Sequence, residues 1–386
     1  MMVRKQIMDR REFLTASAAS LASLALFGIP EPASAKSKAA GPRKYSMVIL
    51  GDTHFDTEPA SVYHALYSEP KEWRYKAHLE EFARNGEMWR DRCPRLLKRC
   101  ASLIDDSTVM ALQVGDLIQG DCDNVDIHRR MLSDAIAAIK KEIGPLPFVT
   151  VAGNHDIRGV DAEKTYHEYM PMRMSQELGK SVTDTTFYFM VGKDAFLVID
   201  FNTPDDELID RMLKETEGAR HTFLLTHGPV FPIDTKSARW FFHGGKSKKN
   251  VEARLHFRAE FAKREVIVLC GHSHSTGLTE WKGDGGVITQ MEMSSVWSKP
   301  ERGTYEVVTE DPAHYGLERA KKFKTKADGS PLEDVSELFD EYRPGLTRYN
   351  QSFTAGSFKL NVGPKHVTID FHAGDSAEIA RTFKLR

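Results

Sequence analysis

The chain has 386 residues, 41% hydrophobic and 28% charged, with a formal net charge of -2; that is enough for one large domain or two modest ones. The near-neutral balance argues against a nucleic-acid coat or a polybasic membrane binder, and no apolar run is long and bare enough for a permanent membrane span. The four cysteines do not make a disulfide framework, because Cys93 and Cys100 fall two turns apart on one predicted helix, about 10 Å of rise and too far to bridge.

The chain begins with a targeting pattern. Arg10-Arg11-Glu12-Phe13-Leu14 precedes a mild apolar run to Ile29, then Pro30, Pro32 and the small triplet Ala33-Ser34-Ala35. A charged region, a short apolar region and an A-x-A site read as a secretory signal, and paired arginines before Phe-Leu resemble the twin-arginine (Tat) variety. The competing reading is a basic amphipathic helix or a retained anchor. Stacked Ala and Ser make a poor membrane helix, which favours cleavage after Ala35 and a periplasmic or secreted mature protein. Residues 36–44, carrying Ser, Gly and Pro, read as a flexible linker.

From Tyr45 the pattern alternates strand, loop or helix, strand. Apolar runs at Tyr45–Leu50, Val109–Val114, Phe148–Ala152, Thr222–Leu225 and Val266–Cys270 read as buried strands. After the first comes a polar and aromatic stretch, Phe55–Glu72, which either roofs a site or packs its aromatics on the core edge. Helices follow through Arg74–Asn85 and Glu87–Ile104, interrupted at Gly86 and bent at Pro94. Ile127, Met131, Ala135, Ile139 and Ile143 recur every four residues behind an Asn124 cap, and Gly144-Pro145 stops that helix. Asp161–Tyr169 is helical up to Pro171. Thr186–Val191 and Ala195–Phe201 form a hairpin around Gly192-Lys193-Asp194, and Asp205–Glu217 and Val251–Ala262 are helices. The loop Gly228–Asn250 carries Trp240-Phe241-Phe242 and then Lys246, Lys248 and Lys249; it is either a grip for an anionic substrate or a wet turn behind an aromatic anchor. Gly277–Trp281 and Gly286–Trp297 are strands. Residues 298–330 lack periodicity and are expected to wrap the surface. Glu333–Tyr342 is helical, and Ser352–Val362, Lys365–Phe371 and Ala380–Leu385 are strands that extend or flank the main sheets.

The five buried strands end alike, in Asp52-Thr53-His54, Gly115-Asp116, Gly153-Asn154-His155-Asp156, Thr226-His227 and Gly271-His272-Ser273-His274. One such His or Asp is a solvated loop residue about nine times in ten, but five polar tips of one chemistry are not scatter. Open strand ends are where α/β folds bind ligands. Four His (His54, His227, His272, His274), two Asp (Asp52, Asp116) and Asn154 suit divalent Mn, Fe, Zn or Co and suit calcium poorly. They are too many for one open site; sharing Asp116, they make two sites of four ligands. His155 stands apart beside Asp156. Two cations roughly 3.5–4 Å apart acidify a water between them and brace both oxygens of an in-line displacement, which fits phosphoryl transfer to water.

In order and spacing, Asp52-x-His54, Gly115-Asp116, Gly153-Asn154-His155-Asp156, His227 and Gly271-His272-x-His274 resemble the five signature blocks of the calcineurin-like metallophosphoesterases, over residues 45 to 297 or so. The resemblance implies one metal held by Asp52, His54, Asp116 and His274, and a second held by Asp116, Asn154, His227 and His272. It implies that His155 is no ligand but acts on the phosphoryl transition state or the leaving oxygen, with Asp156 holding its ring. The implied fold is α/β: a four-layer α-β-β-α sandwich of two mixed sheets, here with extra C-terminal strands. Gln119 stands where purple acid phosphatases carry an iron-binding tyrosine, and His54 where their first block has Gly, so a purple enzyme is not expected. Gln119-Gly120 also lacks the arginine of the protein Ser/Thr phosphatases, which argues against a phosphoprotein substrate. The tail after Trp297 is too short for the separate substrate domain of the secreted nucleotidases.

The expected organisation is a signal over residues 1–35, a linker over 36–44, a catalytic domain over 45–297 and a C-terminal extension over 298–386 packed on the sandwich. The expected activity is hydrolysis of phosphoric mono- or diesters with two divalent metal ions, a small phosphoester and the Tat machinery being the partners. The alternative is a non-catalytic protein-binding scaffold on the same fold; such scaffolds lose the catalytic His or some ligands, and this chain keeps all of them. A single structural zinc fails on seven candidate ligands without a cysteine.

Overall fold

The structure, a computed structural model, describes residues 44–57, 72–233, 241–294, 303–316 and 336–386. The signal-like segment, the linker up to residue 43 and residues 58–71 of the expected roof lie outside the described residues. In chain order the elements are β1 (Tyr45–Leu50), α1 (Glu72–Asp91), α2 (Cys93–Ala101), β2 (Thr108–Gln113), α3 (Val125–Ile143), β3 (Phe148–Thr150), α4 (Ala162–Leu178), β4 (Phe187–Val191) and β5 (Asp194–Ile199). They continue with α5 (Asp206–Glu215), β6 (Thr222–Thr226), α6 (Lys248–Lys263), β7 (Ile267–Cys270), β8 (Thr276–Gly283), β9 (Gly286–Glu292) and β10 (Val307–Thr309). The last are α7 (Ser336–Tyr342), β11 (Leu346–Ser352), β12 (Gly356–Val362), β13 (Val367–Ala373) and β14 (Arg381–Lys384).

The strands form two mixed sheets, one in the order β14-β13-β12-β1-β2-β3 and one in the order β10-β11-β8-β9-β7-β6-β5-β4. Within the first, β1, β2 and β3 run parallel; within the second, β5, β6 and β7 do. Each parallel set therefore opens its carboxyl ends along one edge, the place where such sheets bind ligands.

Alternation along the strands decides what packs where. Phe196, Val198, Phe223, Leu225, Ile267 and Leu269 join the core shared with Met47, Ile49, Phe358 and Leu360 of the other sheet. Their neighbours Leu197, Ile199, Leu224, Val268 and Cys270 turn instead toward Ile209 and Met212 of α5 and Phe257 and Phe261 of α6. On the first sheet α2 lies against β1 and β12, and α4 against β3. The result is two sheets face to face with helices outside.

The C-terminal strands are integral to both sheets. β12 pairs antiparallel with β1, Met47 opposite Leu360, and β11 pairs with β8, Tyr349 opposite Thr279. Residues 303–316 do more than wrap the surface: β10 pairs with β11, and Tyr315 is buried with its hydroxyl donating to the carbonyl of Pro232.

Two helices ignore the expected breakers. α1 runs through Gly86 and stops at Asp91, because a helical Gly costs only about 1 kcal/mol relative to Ala while Asn85 and Trp89 are buried on either side of it. Pro94 instead opens α2, where its missing N–H is harmless. α4 continues through Pro171, whose neighbours Tyr166, Met170 and Met174 are buried with it; core packing outweighs a proline penalty of about 3 kcal/mol. Elsewhere the caps are those expected, with Asn124 accepting from the N–H of Ile127 and Gly144 closing α3 at φ 66°. None of the four buried cysteines is in a disulfide, and burial pushes the Cys100 thiol up to about 12, which keeps it inert. No described helix is long and apolar enough to cross a membrane.

Candidate metal centre

Backbone hydrogen bonds carry the strand tips beyond the sheets. The carbonyl of Asp116 accepts the N–H of Thr53 at 3.0 Å and of His54 at 2.8 Å, and Phe55 donates to Leu117 at 2.9 Å. Behind them the Trp89 indole N–H reaches the carbonyls of both Thr53 and His54 at 2.7 Å. The two sheets are tied where the N–H of His272 meets Asp52 Oδ1 and Oδ2 at 3.2 and 3.1 Å. Between the third tip and the second, the N–H of His155 donates to Asp116 Oδ1 at 2.8 Å.

The tips turn sharply to aim side chains inward. His54, Asp116, His272 and His274 sit at φ 42°, 50°, 74° and 58°, a region that costs a non-glycine residue about 1–3 kcal/mol. Four of the nine described non-glycine residues with positive φ are candidate ligands. Gly115, at φ 89°, shows the same demand: a Cβ there would stand 2.7 Å from the His227 ring.

Six of the seven candidate ligands come together in two overlapping groups. Ligand atoms of Asp52, His54, Asp116 and His274 lie within 4.8 Å of one another, as do those of Asp116, His227 and His272. Asp116 belongs to both, its Oδ2 lying 3.6 Å from His54 Nε2 and 3.2 Å from His227 Nε2. His274 Nε2 is 3.2 Å from Asp52 Oδ2, and His272 Nδ1 is 3.2 Å from His227 Nε2. Asn154, the seventh, precedes His155 in the turn anchored to Asp116, and its Oδ1 is buried without a hydrogen-bond partner.

These residues fit a pair of divalent cations. Asp52 and Asp116 are 0% and 2% exposed, and buried carboxylates require a cationic or hydrogen-bonding partner. A carbonyl can only accept, so the 2.8 Å contact of His227 Nδ1 with Val114 puts a proton on Nδ1 and aims Nε2 at Asp116. Burial alone would lower the His227 pKa, but the carboxylates of Asp116 and Asp52 override it and push it up to about 9. Burial would likewise raise Asp116, yet the imidazoles of His227, His155 and His54 hold it well below the usual carboxylate range. A field that binds a proton so firmly favours any cation, and nitrogen with oxygen donors and no thiolate suits Mn, Fe, Zn or Co.

Asp156 does not hold the ring of His155. Its Oδ1 accepts the N–H of Ile118 at 3.0 Å and its Oδ2 that of Gly153 at 2.8 Å. The turn folds back over its own carboxylate, which in a fully buried place takes the nearest backbone donors. Burial, with the charge of Asp116, pushes the Asp156 carboxyl up to about 7. The His155 ring is held instead by the carbonyl of Gln119, 2.8 Å from Nδ1, and stands edge-on to His54 with centroids 4.5 Å apart. Burial, followed by the nearby Arg158 guanidinium, holds the His155 pKa well below its usual value.

Sequence reasoning missed a sixth tip. β5 ends before Asp200-Phe201-Asn202, and Asn202 Nδ2 bonds Asp200 Oδ1 at 3.0 Å and approaches the carbonyl of Gly153 at 3.4 Å. Phe201 leans on His227 at 5.6 Å between centroids. The signal was the polar Asp200 after an apolar parallel strand, hidden by running the expected strand on to Phe201. In the loop after His227, Phe241 and Phe242 are buried against Phe257 and Phe261 and Lys246, Lys248 and Lys249 are exposed, while residues 234–240, Trp240 among them, lie outside the described residues.

Two mixed sheets whose parallel strand ends converge on Asp and His clusters overlapping at one carboxylate define an α/β sandwich with side-chain clusters that could hold metal ions. The family model for calcineurin-like phosphoesterases matches residues 45–276. The chain belongs to that family. Among solved structures it is similar to PhoD, at 12% identity, covering 90% of this chain and 70% of that one with a TM-score of 0.47. A dimetal phosphatase from Danio rerio shows 10% identity, 88% and 98% coverage and a TM-score of 0.46. GAP50, the anchor in the inner membrane complex of Plasmodium, shows 12% identity, 89% coverage of both chains and a TM-score of 0.42. With TM-scores below 0.5, none of the three bears on what this chain acts on. No curated protein matches the sequence.

Proposed function

We propose that the mature protein is an exported hydrolase of phosphoric mono- or diesters that works with two divalent cations. The observation that carries this reading is Asp116 Oδ2, set between His54 Nε2 at 3.6 Å and His227 Nε2 at 3.2 Å, which joins two ligand sets through one oxygen. Asp52, His54, Asp116 and His274 would hold one cation, and Asp116, Asn154, His227 and His272 the other. When bound, the cations supply Lewis acidity, acidifying a water and neutralising phosphoryl oxygens. Asp116 would belong to both ligand sets, and the Val114 carbonyl fixes the orientation of His227. His155, its Nδ1–H given to the Gln119 carbonyl, keeps Nε2 open toward the site; it would donate to a phosphoryl or leaving oxygen only as the imidazolium, the form that an anionic phosphoryl group beside it would favour.

Export rests on Arg10-Arg11 and Ala33-Ser34-Ala35, a Tat-type signal over residues 1–35 with a linker over 36–44. We place the catalytic domain at 45–297, with 298–386 contributing strands to both sheets. Cell fractionation tests the export: the wild type should reach the periplasm or medium, whereas Arg10→Lys with Arg11→Lys should stay in the cytoplasm.

The activity is tested by turnover of p-nitrophenyl mono- and diesters with Mn, Fe, Zn or Co returned to metal-stripped protein. Stimulation by at least one metal is expected. No turnover with any of them would favour the non-catalytic scaffold.

A further inference from the structure

The tip after β5 has no task in the scheme above, since Asp200, Phe201 and Asn202 are not among the candidate ligands. What they touch is specific. The Phe201 ring stands 5.6 Å from the His227 ring and 6.2 Å from the His272 ring, centroid to centroid. It also closes on Gly228, where a Cβ would come within 2.4 Å of the ring. Asn202 Nδ2 reaches the carbonyl of Gly153 at 3.4 Å, in the residue before Asn154. These contacts fall on Asn154, His227 and His272 or their immediate neighbours, the three residues that belong to the second ligand set alone.

The first ligand set is supported from another side. Trp89 bonds the carbonyls of Thr53 and His54, and the His155 ring stands edge-on to His54. Each set thus has its own scaffold, although Asp116 serves both.

The β5 tip is itself anchored. Asp200 is 1% exposed, and its Oδ1 accepts both the backbone N–H and the Nδ2 of Asn202 at 3.0 Å. Its Oδ2 lies 3.0 Å from His167 Nε2 and accepts from the Thr185 hydroxyl at 3.2 Å. His167 comes from α4 and Thr185 precedes β4, so the anchor is tied to elements that carry no ligand. A buried carboxylate supplied with donors in this way is held in one geometry, and it orients the Asn202 amide that meets Gly153. Groups that hold ligands in place before an ion arrives raise its affinity.

We propose that Phe201 and Asn202 are positioning residues for the second cation, so that loosening them releases that ion while the first stays. This rests on the two-cation reading of the site. The test titrates metal-stripped wild type, Asn202→Ala and Phe201→Leu with Mn, following the free ion by electron paramagnetic resonance. The wild type should bind two equivalents. Each variant should bind one equivalent as tightly as the wild type does and the other about 10- to 100-fold more weakly. Anomalous diffraction from variant crystals at one equivalent of Mn should then place the ion at Asp52, His54 and His274. Equal weakening of both equivalents, weakening of neither, or an ion left at His227 and His272 would overturn the proposal. Asn202 is half-buried, so Asn202→Ala decides the matter alone if Phe201→Leu does not fold. Fewer than two equivalents in the wild type removes the two-cation reading and this proposal with it, whereas two in the wild type without a selective loss in the variants removes only this one.

Discussion

Asp116 and His227 meet across the gap between the two sheets, Oδ2 to Nε2 at 3.2 Å. The first comes from the end of β2, the second from the end of β6, and neither sheet builds the site alone. The same division holds for the other ligands, with Asp52 and His54 following β1 and His272 and His274 following β7. The site is thus a joint of the sandwich, assembled only when both sheets pack.

Removing the shared carboxylate should empty both positions. Asp116→Ala is expected to lose metal and turnover together, since one side chain serves both ligand groups. Elemental analysis of the purified variant checks it; two equivalents still bound would contradict the bridging role.

Trp89 sets the backbone of the first tip. Its indole N–H bonds the carbonyls of Thr53 and His54, and His54 sits at φ 42°, a conformation that needs such support. Trp89→Phe keeps the ring in the core and removes the donor. Metal affinity should drop by about 10- to 100-fold, the usual effect of losing an outer partner of a ligand, while the fold persists. Competition with a graded series of chelators measures this, and unchanged affinity would show that the strand tips hold themselves.

His155 and Asp156 are adjacent but should fail differently. His155→Ala should retain both metals and lose on the order of 10²–10⁴ in turnover, the range for a positioned acid or base. Asp156→Asn places an amide before the N–H groups of Ile118 and Gly153, so it should lower stability by about 1–3 kcal/mol. Denaturant unfolding and single-turnover rates separate the two. An Asp156→Asn protein of native stability with the His155→Ala rate would restore the ring-holding role to Asp156.

How much of this was legible follows from where each interaction is written. The five tips are contiguous blocks at strand ends, so Asp52 to His274 were readable as one constellation and the sandwich followed. The groups that orient them were not. Val114 and Gln119 act through backbone carbonyls, which carry no residue signature, and Trp89 joins the tip from a helix. β11 was missed because Arg348, Asn350 and Gln351 make its sequence polar, although pairing to β8 on one side and β10 on the other leaves Asn350 and Gln351 buried. Gly86 and Pro171 were read as breakers by local propensity, and burial of their neighbours outweighed it.

His128 should give the protein an acid-sensitive stability independent of metal. It is fully buried on α3, and its Nε2–H donates to the carbonyl of Asp156 at 2.8 Å, while Nδ1 has no partner. Burial holds its pKa below the ordinary value. Below about pH 6.5 the unfolded chain gains a proton there that the folded chain resists, so stability falls with pH. The loss begins near the unfolded pKa and stops at the folded one, with a slope of at most about 1.4 kcal/mol per pH unit for one proton. His221, His243 and His372 are also held low, and His167 is held high by its hydrogen bond to Asp200, so only a difference isolates His128. His128→Gln keeps an N–H for the Asp156 carbonyl and cannot titrate. Urea unfolding of the two proteins at pH 7.5, 6.5 and 5.5 should give stabilities that converge as pH falls, the wild type losing more. Parallel curves would mean that the fold leaves the His128 pKa where the unfolded chain has it.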